Sequence, residues 1–175
     1  MSIALIAPDP TFAEWWFKER QDPEAIRFNP MASSTVEKLG ERVSLAGWDL
    51  AQFEKCNSFI WAVRRGEGYV GSATLQNINR TMQTAEIGYM VSAAARGQGV
   101  GSAIVRLIAQ NFFAQTPLRK LIAFVHEENL FSRRVLKKTG FQQEGLLREH
   151  YIVNGEPANE VIYGLLRKDF FGAAG

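Results

Sequence analysis

The sequence predicts an α/β fold of the α+β kind, in which helices pack on a mixed, mostly antiparallel sheet. Residues 59–64 and 69–75 have an alternating, β-rich composition and are joined by a short glycine turn, which is typical of an antiparallel hairpin. A strand at residues 84–91 leads through a glycine-rich turn into an amphipathic helix, and a continuous apolar run follows at residues 121–125. A strand, a helix and a strand buried on both faces predict a right-handed crossover, which adds a parallel pair to the sheet.

Length and composition favour one domain that spans residues 1–175. Of the 175 residues, 46% are hydrophobic and 22% are charged, which is ordinary for a globular protein. A formal net charge of +2 is too small to indicate direct binding of nucleic acid. The single cysteine, Cys56, fits a reducing compartment. The apolar run at residues 3–7 is too short for a signal-peptide core, and no run approaches the ~18 apolar residues of a membrane span. We therefore expect a soluble, cytoplasmic protein without a membrane partner.

The residues before the hairpin are predicted to be largely helical. Thr11 and Ser34 are each followed three residues later by glutamate, the capping-box pattern. This pattern predicts one helix that runs to about residue 20 and another over residues 35–46. The proline-bracketed residues 22–30 are expected to be irregular, and residues 77–80 are expected to form a polar connection between two strands.

The last part of the chain is predicted to contain one more helix and a closing hairpin. Asn129 is a candidate N-cap for a helix over residues 130–139, and Gly140 is its expected left-handed stop. Two strands, residues 141–153 and 159–166, lie on either side of an Asn-Gly-Glu-Pro turn and would complete the sheet.

The feature with the clearest chemical meaning is the glycine-rich turn Arg96–Gly101, which follows the third strand. We expect a helix to begin at Arg96, with its free backbone N–H groups and the positive end of its dipole at the turn. Glycines let an anion approach such a backbone closely, so the turn predicts a pyrophosphate cradle. It lacks the Gly-Lys-Ser/Thr of a P-loop, and Ser102 stands where a dinucleotide fingerprint needs glycine. A tight strand–helix connection without a ligand is the alternative.

This turn and a downstream segment resemble two motifs of the GNAT acetyltransferase superfamily. Residues 96–101 match its acetyl-CoA signature, Arg/Gln-x-x-Gly-x-Gly/Ala. Residues 129–148 match N-x-x-S-x-x-V-x-x-x-x-G-F-x-x-E-G-x-x-R, which resembles the ribosomal-protein N-terminal (Rim-type) branch. The resemblance covers residues 58–168, as a cofactor-binding core, and is loose over residues 1–57, where the family carries substrate-side helices. It implies a mixed, mostly antiparallel sheet of six to seven strands, with helices on both faces, splayed at the acetyl-CoA cleft.

The resemblance also implies acetyl-CoA as the co-substrate, with no metal. Backbone N–H groups of the turn would hold its pyrophosphate, and the Arg96 side chain would add a charge-assisted contact. A backbone N–H near Met90 or Val91 would polarise the thioester carbonyl, and Asn129 would contact the cofactor arm. The implied cofactor-binding residues are Met90, Val91, Arg96, Gly97, Gln98, Gly99, Val100, Gly101, Asn129 and Ser132.

An acceptor amine attacks a thioester only when it is neutral, so we expect a carboxylate that takes its proton. Glu86 lies in the strand before the turn, in a context that resembles the position where relatives carry an acidic residue, so it is the predicted general base. The alternative for Glu86 is a strand-end carboxylate paired with a basic neighbour. Glu144 and Glu160 are lesser candidates for the base.

The leaving thiolate needs an acid or a hydrogen-bond donor. Leu136 stands where many members of the superfamily carry a tyrosine. Ser132 is the available hydroxyl on the first turn of the predicted helix, and it is the predicted general acid, although a hydroxyl stabilises sulfur better than it protonates it. Tyr89, Tyr151 and Tyr163 are alternatives for this role.

Three functions stay open at this point. The first is transfer of an acetyl group to the N-terminal amine of a protein or peptide. The second is the same chemistry on a small amine such as a polyamine, an aminoglycoside or an amino-acid derivative. The third is a non-catalytic acyl-CoA-binding module. We expect a monomer or a homodimer.

Overall fold

The computed structural model describes residues 2–28 and 35–172 of the chain. The strands are β1 (Ile3–Ile6), β2 (Phe59–Arg65), β3 (Gly68–Asn79), β4 (Thr84–Val91), β5 (Lys120–His126), β6 (Gln142–Val153) and β7 (Glu156–Leu166). The α-helices are α1 (Phe12–Arg20), α2 (Pro23–Phe28), α3 (Val36–Leu45), α4 (Val100–Gln115), α5 (Leu130–Lys138) and α6 (Arg167–Gly172).

The strands form one seven-stranded sheet in the order β1-β2-β3-β4-β5-β7-β6. Neighbouring strands run antiparallel except β4 and β5, which are parallel and are joined through α4. This arrangement confirms the mixed, mostly antiparallel sheet, both predicted hairpins and the strand–helix–strand unit between them.

Helices cover both faces of the sheet, as β2 illustrates. Phe59, Trp61 and Val63 point into the larger core cluster, which contains the apolar face of α4. Ile60 and Ala62 alternate with them and pack on the other face, in a second cluster. The residues of α1 and α3 that complete this second cluster are Phe12, Ala13, Trp16 and Leu39.

The bounds of several strands differ from those predicted. Residues 3–6, considered above only as an apolar run, form β1 and pair antiparallel with β2. The prediction of a polar connection at residues 77–80 is wrong, because β3 continues to Asn79. The β3–β4 ladder is interrupted at Asn77, whose φ is +48°. Asparagine tolerates this left-handed conformation better than most residues. The last turn is also shorter than expected, since only Asn154 and Gly155, with φ of +52° and +86°, separate β6 from β7.

The prediction of an irregular segment after α1 is wrong as well. Pro23 occupies the first position of α2, where its missing N–H costs nothing, and Asp22 accepts a hydrogen bond from the Ala25 N–H at 3.1 Å. The predicted helix at residues 35–46 is confirmed as α3, with Thr35 as its cap; Ser34 and Pro30 lie outside the described residues. Helix α1 is also confirmed, although the Thr11 side chain bonds Asp9 and makes no capping bond to α1.

The parallel pair β4–β5 is paired over a short distance. The ladder joins Thr84 to Lys120, Ala85 to Leu121 and Glu86 to Ile122, and it ends there, whereas β4 runs on to Val91 and β5 to His126. The two strands therefore separate beyond this point and leave a cleft between them, as expected for a splayed sheet. Strand β5 is not buried on both faces as predicted, because its alternate side chains Ile122, Phe124 and His126 are only half-buried.

None of the described helices is both long and apolar enough to cross a membrane.

Strand β4 also presses closely on β3, and this contact predicts a sharp difference between two glycines. A Cβ on Gly71 would collide with the Met90 carbonyl oxygen, whereas a Cβ on Gly68 would meet no described atom within 4 Å. We expect Gly71→Ala to lower the free energy of unfolding by about 1–3 kcal/mol, as overpacking does. Gly68→Ala should change it by less than about 0.5 kcal/mol. Urea denaturation followed by circular dichroism measures both, and equal midpoints for the two variants would contradict the close β3–β4 approach.

Candidate active site

The glycine-rich turn connects β4 to α4, and its glycines serve different purposes. The helix begins at Val100 and not at Arg96 as predicted, because Gly97 and Gly99 take φ values of +73° and +78°, which side-chain-bearing residues rarely adopt. A Cβ at Gly97 or Gly99 would meet no described atom within 4 Å, so the backbone here faces open space. Gly101 is different, since its Cβ would lie 3.3 Å from the Val135 side chain of α5. The turn thus combines open backbone at the start of α4 with close helix–helix packing behind it.

The Arg96 side chain is directed at α2. Its guanidinium donates hydrogen bonds to Asp22 at 2.6 Å and to Glu24 at 3.1 Å. The bond from Arg96 lowers the pKa of the Asp22 carboxyl below its usual value. In the same region, the Ala93 N–H donates to Glu19 of α1 at 3.2 Å. Helices α1 and α2 therefore hold the turn in place, and the expected phosphate contact from the Arg96 guanidinium is not prearranged.

Glu86 lies at the fork where β4 and β5 part, since its pair with Ile122 is the last of the ladder. Its two carboxylate oxygens accept hydrogen bonds from the side-chain amides of Gln76 and Asn77, each at 2.7 Å. Gln76 in turn accepts from Arg42 of α3 at 3.1 Å, which fixes the orientation of its amide. The alternative interpretation, a carboxylate paired with a basic neighbour, does not match these partners.

The opposite side of the cleft, formed by β5, β6 and β7, carries a second carboxylate. Glu160 of β7 pairs with His126 of β5, and its carboxylate lies 3.6 Å from His150 Nε2. Burial raises the pKa of the Glu160 carboxyl; nearby Glu86 adds to the rise, while His150 opposes it. Burial, and then the charge of Glu160, also raise the pKa of the Tyr151 phenol, whose ring meets that of His126 edge-on. These groups form a polar wall that faces the fork.

Glu144, another candidate for the base, is engaged elsewhere. Its carboxylate forms an ion pair with Lys120 at 2.6 Å, near the end of the ladder that lies away from the fork. This pairing makes Glu144 a weaker candidate than Glu86 or Glu160.

The start of α5 brings two hydroxyls together. Asn129 is its N-cap, as predicted, and accepts a hydrogen bond from the Ser132 N–H at 3.0 Å. The Ser132 hydroxyl lies 2.8 Å from the phenol of Tyr89, which comes from β4. Burial raises the pKa of Tyr89 to about 12. Leu136, at the position of the usual tyrosine, is fully buried in the core.

The remaining predicted site residues lie where β4 ends. Met90 packs with the cluster beneath α1 and α3, and Val91 packs against the larger core on the other face. The Gln98 side chain donates to the Ala94 carbonyl at 2.8 Å, which braces the turn. Tyr163, in contrast, is buried in the core and accepts from Arg133 at 3.2 Å, so its hydroxyl is engaged away from Ser132.

Comparison with known proteins identifies the family. The family model described as an acetyltransferase (GNAT) domain matches residues 4–142. The chain belongs to the GNAT acetyltransferase family. The resemblance stated from the glycine turn and the Asn129 segment is therefore confirmed, and the seven-stranded, splayed sheet is the GNAT fold.

The names of individual GNAT relatives point to more than one kind of acceptor. The chain is 36% identical over 101 residues to the probable N-acetyltransferase YjcK of Bacillus subtilis, covering 57% of this chain and 56% of that protein. It is 30% identical over 102 residues to the putative ribosomal N-acetyltransferase YdaF of the same species, covering 58% and 56%. The chain thus matches little more than half the length of each. A spermidine N-acetyltransferase from Vibrio cholerae, solved with CoA and spermine, superimposes with a TM-score of 0.84 at 16% identity, over 97% of this chain and 98% of that chain.

The family match and the N-acetyltransferase names of several relatives support an acyltransferase enzyme. At 16% identity the spermidine enzyme shows a shared fold only.

Proposed function

We propose that this N-acetyltransferase transfers the acetyl group of acetyl-CoA to the α-amine of a protein or peptide N-terminus. The observation that carries the proposal is the Glu86 carboxylate, held by two amide donors at the fork of the β4–β5 cleft. An oriented carboxylate at this place supplies the base that an α-amine needs before it can attack a thioester.

The glycine turn fits the pyrophosphate of acetyl-CoA. The free N–H groups at the start of α4 and the positive φ of Gly97 and Gly99 leave open backbone at the positive end of a 16-residue helix. The backbone from Arg96 to Gly101 would hold the diphosphate, with the Arg96 side chain retained by α2 unless the ligand draws it away. Asn129 would contact the amide-bearing arm, and an N–H at Met90 or Val91 would bind the thioester oxygen. Acetyl-CoA itself supplies an acyl group activated by a thiolate leaving group.

Glu86 would act on the acceptor. An N-terminal amine has a pKa of ~7.7–8, so much of it is protonated at neutral pH and cannot attack. The carboxylate would take a proton from the amine, directly or through one water. The bonds from Gln76 and Asn77 use one lone pair on each oxygen, so each oxygen can still accept another hydrogen.

The charges around the cleft favour an acceptor with one positive charge. A polyamine carries several charges and would be held by several carboxylates without cationic partners. In the described part of the chain, three acidic side chains near the turn and the opening of the cleft are paired with cations. The pairs are Asp22 and Glu24 with Arg96, and Glu128 with Arg27. The similarity to a putative ribosomal N-acetyltransferase supports the same choice.

The pyrophosphate assignment predicts the effect of filling the turn. Gly99→Trp should lower the affinity for acetyl-CoA by at least ~10-fold, measured by isothermal titration calorimetry, because the indole occupies the open side of the backbone. Gly99→Ala introduces the strain of a side-chain-bearing residue at positive φ but adds no large side chain. Its affinity therefore separates the effect of backbone strain from the effect of blocking the site. Gly68→Trp, at the exposed start of β3, is the matched control and should bind normally. Full affinity in Gly99→Trp would rule out the turn as the phosphate site.

The role of Glu86 predicts a change in the pH–rate profile. Glu86→Gln should lower turnover by about 100-fold at neutral pH, the usual scale of general-base catalysis. The loss should shrink as the pH rises above the pKa of the amine, because the acceptor is then already neutral. Thiol release measured between pH 6 and pH 10 gives the profile, with Glu67→Gln in the exposed β2–β3 turn as the control. A profile that keeps its shape in Glu86→Gln would show that another group is the base.

The acceptor class is tested with matched amines. We expect thiol release from acetyl-CoA with short peptides that carry a free N-terminus, and mass spectrometry should place the acetyl group on the α-amine. The same peptides with a blocked N-terminus and one internal lysine should release no thiol. Faster turnover with spermidine, an aminoglycoside or a free amino acid than with every peptide would instead assign a small-molecule acceptor.

A further inference from the structure

The hydroxyls of Tyr89 and Ser132 meet between β4 and α5, beyond the fork of the cleft. Their oxygens are 2.8 Å apart, which is the preferred length for an O–H···O hydrogen bond. The Tyr89 ring is partly buried and packs against the larger core cluster. Ser132 is held from the other side by the bond from its N–H to Asn129. Both hydroxyls are therefore positioned by the packing of α4 and α5 on β4.

The chemistry of the two groups indicates which one donates. A phenol is a stronger acid than an aliphatic alcohol and is the better donor. The other acceptor within reach of the phenol is the Ser132 carbonyl, at 3.4 Å, which is too long to compete. A serine oxygen has one hydrogen and two lone pairs. When it accepts from Tyr89, its own hydrogen is free to donate to a third group.

We propose that Tyr89 is a positioning residue, which holds the Ser132 hydroxyl with its hydrogen directed at the sulfur of the departing CoA. This inference rests on the proposed function, because it requires the thioester to lie beside the start of α5. As the amine nitrogen bonds to the acetyl carbon, the carbon–sulfur bond breaks and its electron pair passes to sulfur. Ser132 then donates a hydrogen bond to the thiolate without losing its proton. The proton that the acetylated nitrogen gives up passes through water to the thiolate, so CoA leaves as the thiol.

The environment of Tyr89 suits this role. Its desolvation keeps the phenol protonated far above neutral pH, so it stays a donor throughout the working range of the enzyme. The pair also accounts for Leu136 at the position of the usual tyrosine, since the hydroxyl that faces the sulfur is supplied one helical turn earlier and oriented from β4.

Binding of the product tests the proposal without turnover. The affinities for CoA and for desulfo-CoA, which lacks the thiol, are compared by calorimetry from pH 6 to pH 9.5. A free thiol has a pKa of ~8.5, so a site that stabilises the thiolate should favour CoA increasingly as the pH rises. We expect this preference in the unaltered enzyme, its loss in Ser132→Ala, and a reduction of about 3- to 10-fold in Tyr89→Phe.

Kinetics separate positioning from a merely structural effect. Tyr89→Phe should lower kcat by about 3- to 10-fold and leave the KM for acetyl-CoA unchanged. The variant with both changes should match Ser132→Ala alone, because Tyr89 acts only through the serine. Thr139→Val, which removes another buried hydroxyl at the end of α5, is the control and should keep normal kcat.

Two results would overturn the proposal. One is that Tyr89→Phe retains both its kcat and the pH-dependent preference for CoA. The other is that the losses from the two changes multiply in the double variant, which would show that Tyr89 acts independently of Ser132. If the unaltered enzyme binds neither CoA nor desulfo-CoA, it is the proposed function that fails, and that result is distinct from either of these.

Discussion

The early end of the β4–β5 ladder is the constraint on which the rest of the site depends. The last pair of this parallel ladder is Glu86 with Ile122, although β4 runs on to Val91 and β5 to His126. Beyond it, no other strand of the described residues pairs with the facing edges of β4 and β5, and backbone groups left without partners away from water are costly. A ligand that carries amides would supply hydrogen-bond partners for these backbone groups. The separation of β4 from β5 therefore creates the cleft and favours an amide-bearing ligand in it.

The helices that precede the sheet stabilise the turn beyond this cleft. Arg96 follows β4 and bonds Asp22 and Glu24 at the start of α2, while Arg27, near the other end of α2, bonds Glu128 just after β5. A six-residue helix thus contacts both edges of the opening. Exposed ion pairs contribute little to stability, and their value here lies in fixing the position of α2 relative to the turn.

Local patterns were enough to predict the hairpins, the glycine turn and α5, because alternation, capping and left-handed glycines act within a few residues. These local patterns failed where contacts with a distant segment decide the secondary structure. The four residues of β1 form a strand only because β2 offers an edge, and Pro23 begins a helix although it resembles a breaker. The amides that hold Glu86 were missed for the same reason. Gln76 could be matched to Glu86 only once the β3–β4 register was known, and the bend at Asn77 was predicted to be a loop.

The alternation of side chains along β4 places the proposed base and the proposed thiolate-stabilising groups on opposite faces of the sheet. Successive residues of a strand point to opposite faces, so Glu86 lies on the face covered by α1 and α3, and Tyr89 on the face covered by α4 and α5. In the proposed mechanism, the amine would approach from the first face while the sulfur would be held from the second. One strand would thereby separate the group that takes a proton from the groups that stabilise the leaving thiolate, and the negative charge of the carboxylate would lie away from the charge that develops on sulfur.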